Sequence, residues 1–111
     1  MNDRIGRGDT VLDREHIRFL EMVEVTGSVR TACGCMHMSY TKGRRMLNDM
    51  EQGLGLSLTE RLVGESEGGA TRLTYTGKSL VDAYNAFISE QQEQAQDRFQ
   101  TLFRFLGSDL H

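Results

Sequence analysis

The stretch Gly27 to Leu54, GSVRTACGCMHMSYTKGRRMLNDMEQGL, decides the fold. Ser28 is a good helix N-cap, and Val29, Ala32, Cys33 and Met36 follow at i, i+3, i+4 and i+7, one face of a short helix. His37-Met38 leaves a break of two or three residues before Ser39, a second capping residue, and a third helix is predicted from there to about Leu54. Within it Gly43, Leu47, Met50 and Leu54 form an apolar stripe spaced four, three and four, while Tyr40, Thr41, Arg44, Arg45 and Asn48 gather on the other side. Two short helices joined by so tight a turn make a helix-turn-helix.

Upstream, Asp13 caps a first helix over Arg14 to Val25, with Ile17, Leu20 and Val23 on one face and Gly27 as its stop. Phe19 and Met22 form a second stripe on that helix, which predicts a second partner surface. Residues 1–12 carry Gly6 and Gly8 and little apolar content, so they read as a loose arm ending in a short strand near Val11. Downstream the period changes. Leu58 to Val63 and Ala70 to Tyr75 read as two strands around the turn Gly64-Glu65-Ser66-Glu67-Gly68-Gly69, a wing beside the helices. Thr76-Gly77 then opens a long helix from Lys78 to about Leu106, with Leu80, Tyr84, Phe87, Phe99, Leu102 and Leu106 at seam-like spacing. The fold class is therefore mainly α with a small β-hairpin: a winged helix-turn-helix over 13–77 and a long C-terminal dimerisation helix over 78–111.

A chain of 111 residues holds one such domain, and a charged share of 26% with a net charge of −3 fits a soluble globular protein. No apolar run is long enough to span a bilayer and the polar start is no signal peptide, so the expected location is the cytoplasm. Mild acidity argues against a protein that coats nucleic acid through bulk charge. The charge is uneven, however: from Thr26 to Asn48 there is no Asp or Glu, while Arg30, Lys42, Arg44 and Arg45 all fall there.

Gly27-Ser28 before the Ala32/Cys33 helix, Met38-Ser39-Tyr40, Leu62-Val63 before a Gly-rich turn, and Arg72-Leu73-Thr74 with Gly77 carry a family pattern. It resembles the N-terminal winged helix-turn-helix domain of the molybdate-responsive (ModE-type) transcription regulators. Met50-Glu51 and the run from Leu54-Gly55 to Leu58, Glu60 and Arg61 resemble, more distantly, LysR-type DNA-binding domains. The resemblance covers about Asp13 to Ala83 and implies a regulator that binds double-stranded DNA. Two positions depart from it: His37 stands where the molybdate family usually has a turn glycine, and Arg44 where it often has a large aromatic. The ligand-binding domains of full-length molybdate regulators are not in this sequence, so no molybdate site is expected in this chain.

On that basis Arg44 or Arg45 is expected to grip guanine edges and Asn48 adenine, while Tyr40, Thr41 and Lys42 reach phosphate. Ser28 and Ser39 at the helix starts and Arg72 on the wing complete the expected DNA-binding set. The acidic tip, Glu65 and Glu67, should stay off the backbone. Dimerisation is expected through Phe19, Met22, Leu80, Tyr84, Phe87, Phe99, Leu102, Phe103 and Leu106, because the last four lie far beyond what one small domain can cover. Pairing these helices about a two-fold axis would set two reading helices roughly 34 Å apart, one turn of DNA. Metal ligation by Cys33 and Cys35 is not expected, since residues two apart on a helix diverge and Cys33 belongs to the core stripe. The methionines suit gap-filling, no cofactor is implied, and no catalytic constellation surrounds His16, His37 or His111, so an enzyme is not expected. The alternative is a winged-helix protein-interaction module that has lost DNA binding.

Overall fold

A computed structural model of the chain describes residues 5–7, 10–62 and 70–109. Elements follow in the order β1 (Ile5–Arg7), β2 (Thr10–Leu12), α1 (Arg14–Thr26), α2 (Val29–Cys35), α3 (Tyr40–Leu54), β3 (Thr59–Arg61), β4 (Thr71–Leu73) and α4 (Tyr75–Asp109). They divide into two compact units, 1–81 and 82–111.

In the first unit each helix begins and ends on local chemistry. Asp13 accepts from the backbone N–H of His16 at 3.3 Å, and Gly27 closes α1 at φ 72°. Ser28 and Ser39 cap α2 and α3 by accepting from Thr31 N and Lys42 N, each at 3.0 Å. His37 ends α2 in the left-handed region at φ 56°. His37 N–H donates to Gly34 O at 3.2 Å and Met38 N–H to Cys33 O at 3.0 Å, a Schellman closure with histidine in the glycine position.

The core is built by Ile17, Phe19, Leu20 and Val23 of α1, Val29, Ala32 and Cys33 of α2, and Met46, Leu47 and Met50 of α3, closed by Leu12, Leu58, Leu73 and Val81. Phe19 corrects the sequence reading: it is 0% exposed and needs no second surface. Because α1 packs against both α2 and β4, its buried face is a wide arc rather than one stripe. Gly43 makes room for it, since a Cβ there would lie 3.2 Å from Phe19 Cε1 and would collide with Cys33 Sγ. Met22 is only half-buried.

Other boundaries also differ. The N-terminal arm contains a two-stranded antiparallel hairpin, Ile5 opposite Leu12 and Arg7 opposite Thr10, whose second strand packs on α3. The β3–β4 strands are shorter than predicted and pair Thr59 with Leu73, Glu60 with Arg72 and Arg61 with Thr71. The expected wing tip from Gly64 to Gly69, with Glu65 and Glu67, lies outside the described residues. The last helix begins three residues early. Thr74 Oγ1 accepts from Gly77 N–H at 3.0 Å, and Gly77 is a buried interior position whose Cβ would run into the carbonyl oxygen of Leu58.

Two carboxylates tie the hairpin to the helices. Glu51 on α3 accepts from Leu58 N–H at 2.8 Å, and Glu24 on α1 accepts from Leu73 N–H at 2.7 Å. Gly27 O accepts from Thr71 N–H at 2.8 Å, joining the α1–α2 turn to β4.

In the second unit α4 continues as one helix to Asp109. Phe99, Leu102, Phe103, Phe105 and Leu106 are all exposed, and the rings of Phe99 and Phe103 lie 5.3 Å apart. Tyr84, expected at a dimer seam, is 3% exposed; Leu80 and Phe87 are half-buried. No helix among the described residues is long and apolar enough to cross a membrane.

Candidate nucleic-acid interface

The third helix divides by face because burial follows its period. Gly43, Met46, Leu47 and Met50 point inward, and Tyr40, Thr41, Lys42, Arg44, Arg45 and Asn48 are exposed. Among the described residues, Arg44, Arg45 and Asn48 make no side-chain hydrogen bond or ion pair, so their donors face solvent. Lys42 is engaged instead, its Nζ 3.3 Å from Glu15 Oε2 on α1. An exposed pair of this kind is worth little and is readily exchanged.

Beside this face lies a solvent-open cleft of about 260 Å³. Ser28, Val29 and Arg30 form one wall, Tyr40 and Arg44 another, and Thr59, Arg61 and Thr71 of the hairpin the third. Among the described residues that line it, three are arginines and none carries a carboxylate. The Arg30 guanidinium lies over the Tyr40 ring, 4.1 Å from its centroid.

The hairpin's alternation decides which of its cations belongs here. Arg61 and Thr71 are opposite each other on the cleft side, while Glu60 and Arg72 form the next pair on the other face. Arg72, expected among the contacts, is bound to Glu60 at 2.7 Å and does not line the cleft. Arg61 takes that place. Neither Arg30 nor Arg61 is in the DNA-binding set expected from sequence, where Arg61, like Arg72 and Lys78, reads equally as a phosphate neighbour or a plain surface charge. Arg30 stood within the acid-free stretch, whereas the side on which Arg61 falls depends on strand register. Ser28 and Ser39 are held by capping, although Ser28 also lines the cleft.

No protein-family model matches the chain. It is 30% identical over 101 residues to the molybdenum transport protein ModE of Azotobacter vinelandii, covering 91% of this chain and 37% of that one. It is also 30% identical over 81 residues to the transcriptional regulator ModE of Yersinia pestis, covering 73% and 31%. The chain thus spans about a third of the length of these curated relatives. Among solved structures it resembles the CbnR DNA-binding domain in complex with DNA, at 22% identity and a TM-score of 0.58, covering 81% of this chain and 97% of that one. The BenM DNA-binding domain on benA site 1 DNA is similar at 18% identity and a TM-score of 0.57, with 77% and 90% covered. The two kinds of match agree with the residue pattern: the chain carries a ModE- and LysR-like winged-helix domain.

Proposed function

We propose that the chain is a non-catalytic regulator of transcription that binds specific double-stranded DNA as a homodimer in the cytoplasm, with α3 in the major groove. One observation carries the reading. The outward face of α3 offers Arg44, Arg45 and Asn48 with their donors unspent, beside a cleft lined, among the described residues, by three arginines and no acid. Arginine matches the acceptor pair on a guanine edge and asparagine the donor-acceptor pair on adenine, so these side chains suit base reading. Thr41 and Lys42 at the start of the helix suit phosphate, with Lys42 exchanging Glu15 for the DNA backbone. The same kind of domain is seen on DNA in the CbnR and BenM complexes.

Dimerisation is supported by Phe99, Leu102, Phe103 and Leu106, which are 48–65% exposed at i, i+3, i+4 and i+7. Burying the exposed half of each against a second copy is favourable by roughly 1 kcal/mol. Phe105 adds a further exposed ring. Selection of bound fragments from genomic DNA, followed by a salt titration, tests the proposal. Fragment-specific binding that weakens steeply with salt is the expected result. Absence of any duplex binding, with retention of a protein partner through α4, would favour the interaction-module reading instead.

A further inference from the structure

We infer that the cleft between α2, the start of α3 and the base of the β3–β4 hairpin seats one phosphate of the DNA backbone, with Arg30 as its pre-set ligand. This rests on the DNA reading above and extends the contact surface beyond the reading helix. All five donors of a guanidinium lie in its plane. Stacking on Tyr40 therefore uses a face of Arg30 and spends no donor, while it restricts a long side chain before any ligand arrives. Arg44 and Arg61 border the same space from a helix and a strand. Ser28 Oγ accepts from Thr31 N–H and so keeps its own hydroxyl proton to give, and Thr59 and Thr71 of the hairpin also line the space. Like charges gathered with no acid among the described lining residues repel one another, and an oxyanion between them reverses the sign of that interaction. The oxygens of a phosphodiester accept from several planar donors at once, which a base edge does not require. The seat consequently adds affinity without selecting sequence.

The test is a salt titration of a short mixed-sequence duplex with the wild-type chain and with Arg30→Ala, Arg30→Lys, Tyr40→Phe, Tyr40→Leu and the double variant Arg30→Ala/Tyr40→Leu. Arg30 and Tyr40 are exposed, so matching circular dichroism melts should confirm that all variants fold. Arg30→Ala is expected to weaken every duplex alike and to flatten the slope of log K against log salt by about 0.9. Arg30→Lys should keep the slope and lose part of the affinity, and Tyr40→Phe, which keeps the stacking ring, should keep the wild-type slope. Tyr40→Leu should weaken binding in the wild-type background and add nothing to Arg30→Ala. Additive losses in the double variant would overturn the role of the stack. Free inorganic phosphate offers the same chemistry, so its effect on the Arg30 side-chain NMR signal is followed without DNA. A phosphate-induced shift with duplex affinity unchanged in Arg30→Ala would overturn the DNA seat in favour of a free-anion site. If the wild-type chain binds no duplex, the DNA reading falls and the seat with it. If it binds and Arg30→Ala keeps both affinity and slope, only the seat falls.

Discussion

Gly43 is a point of close approach of α3 to α1 and α2, with Phe19 and Cys33 occupying the space a side chain would need. Gly43→Ala should therefore lower stability by about 1–3 kcal/mol in urea unfolding, despite alanine's better helix propensity. Cys33→Ala in the same chain should restore part of the loss by vacating the sulfur's volume; no restoration would mean that Phe19 sets the clash. Arg44→Ala and Arg45→Ala act elsewhere. Each should reduce affinity for a selected DNA fragment by roughly 1–3 kcal/mol and leave the melting temperature nearly unchanged. Equal affinity in both variants would remove α3 as the reading face. Asp13 adds a pH dependence. Burial pushes its carboxyl up, but the backbone and side-chain hydrogen bonds of His16 and the charge on that ring together hold it below the usual aspartate value. A carboxyl lowered by folding contributes stability above its unfolded pKa and loses it as pH falls through the folded one. Asp13→Ala should then cost about 1 kcal/mol near neutral pH, with the gap from wild type closing in acid. A gap that stays constant down to acid unfolding would show that the cap is not electrostatic.

Helix caps were legible in the sequence because they are settled within four residues: Asp13, Ser28 and Ser39 all cap as their types and positions imply. The stripe of α3 was legible for the same reason. What could not be read locally depends on neighbours far along the chain. Phe19 looks like a second stripe until α2 and β4 are placed on both sides of α1, and the pairing of Arg72 with Glu60, off the cleft, is set by strand register. Gly77 resembles a helix opener, yet its purpose is the close approach of Leu58. The α2–α3 turn gives the test at this scale. His37 is the single described non-glycine residue with positive φ, a conformation that strains a Cβ. His37→Gly should stabilise the domain by about 0.5–1 kcal/mol against chemical denaturant, since relief of strain outweighs the entropy gained by the unfolded chain. Destabilisation would mean that the imidazole makes a contribution of its own.

At the scale of the molecule, a net charge of −3 coexists with a cleft of three arginines, so attraction to a polyanion is local rather than general. Removing the residues beyond Ser89 takes away the exposed Phe99, Leu102, Phe103 and Leu106. Sedimentation should then show a weaker dimer, and affinity for a two-fold repeated site should fall more than affinity for one half-site. A truncated chain that keeps full preference for the repeated site would sink the proposed role of α4. The division of α3 has a last consequence. Its core residues and the Glu51 tie to Leu58, just before β3, lie apart from Arg44, Arg45 and Asn48, whose side chains make no hydrogen bond or ion pair among the described residues. Substitutions at those three positions are thus nearly free of structural penalty, and in evolutionary time they can drift. A duplicated copy of such a chain can exchange one target sequence for another in single steps, every intermediate remaining folded and open to selection.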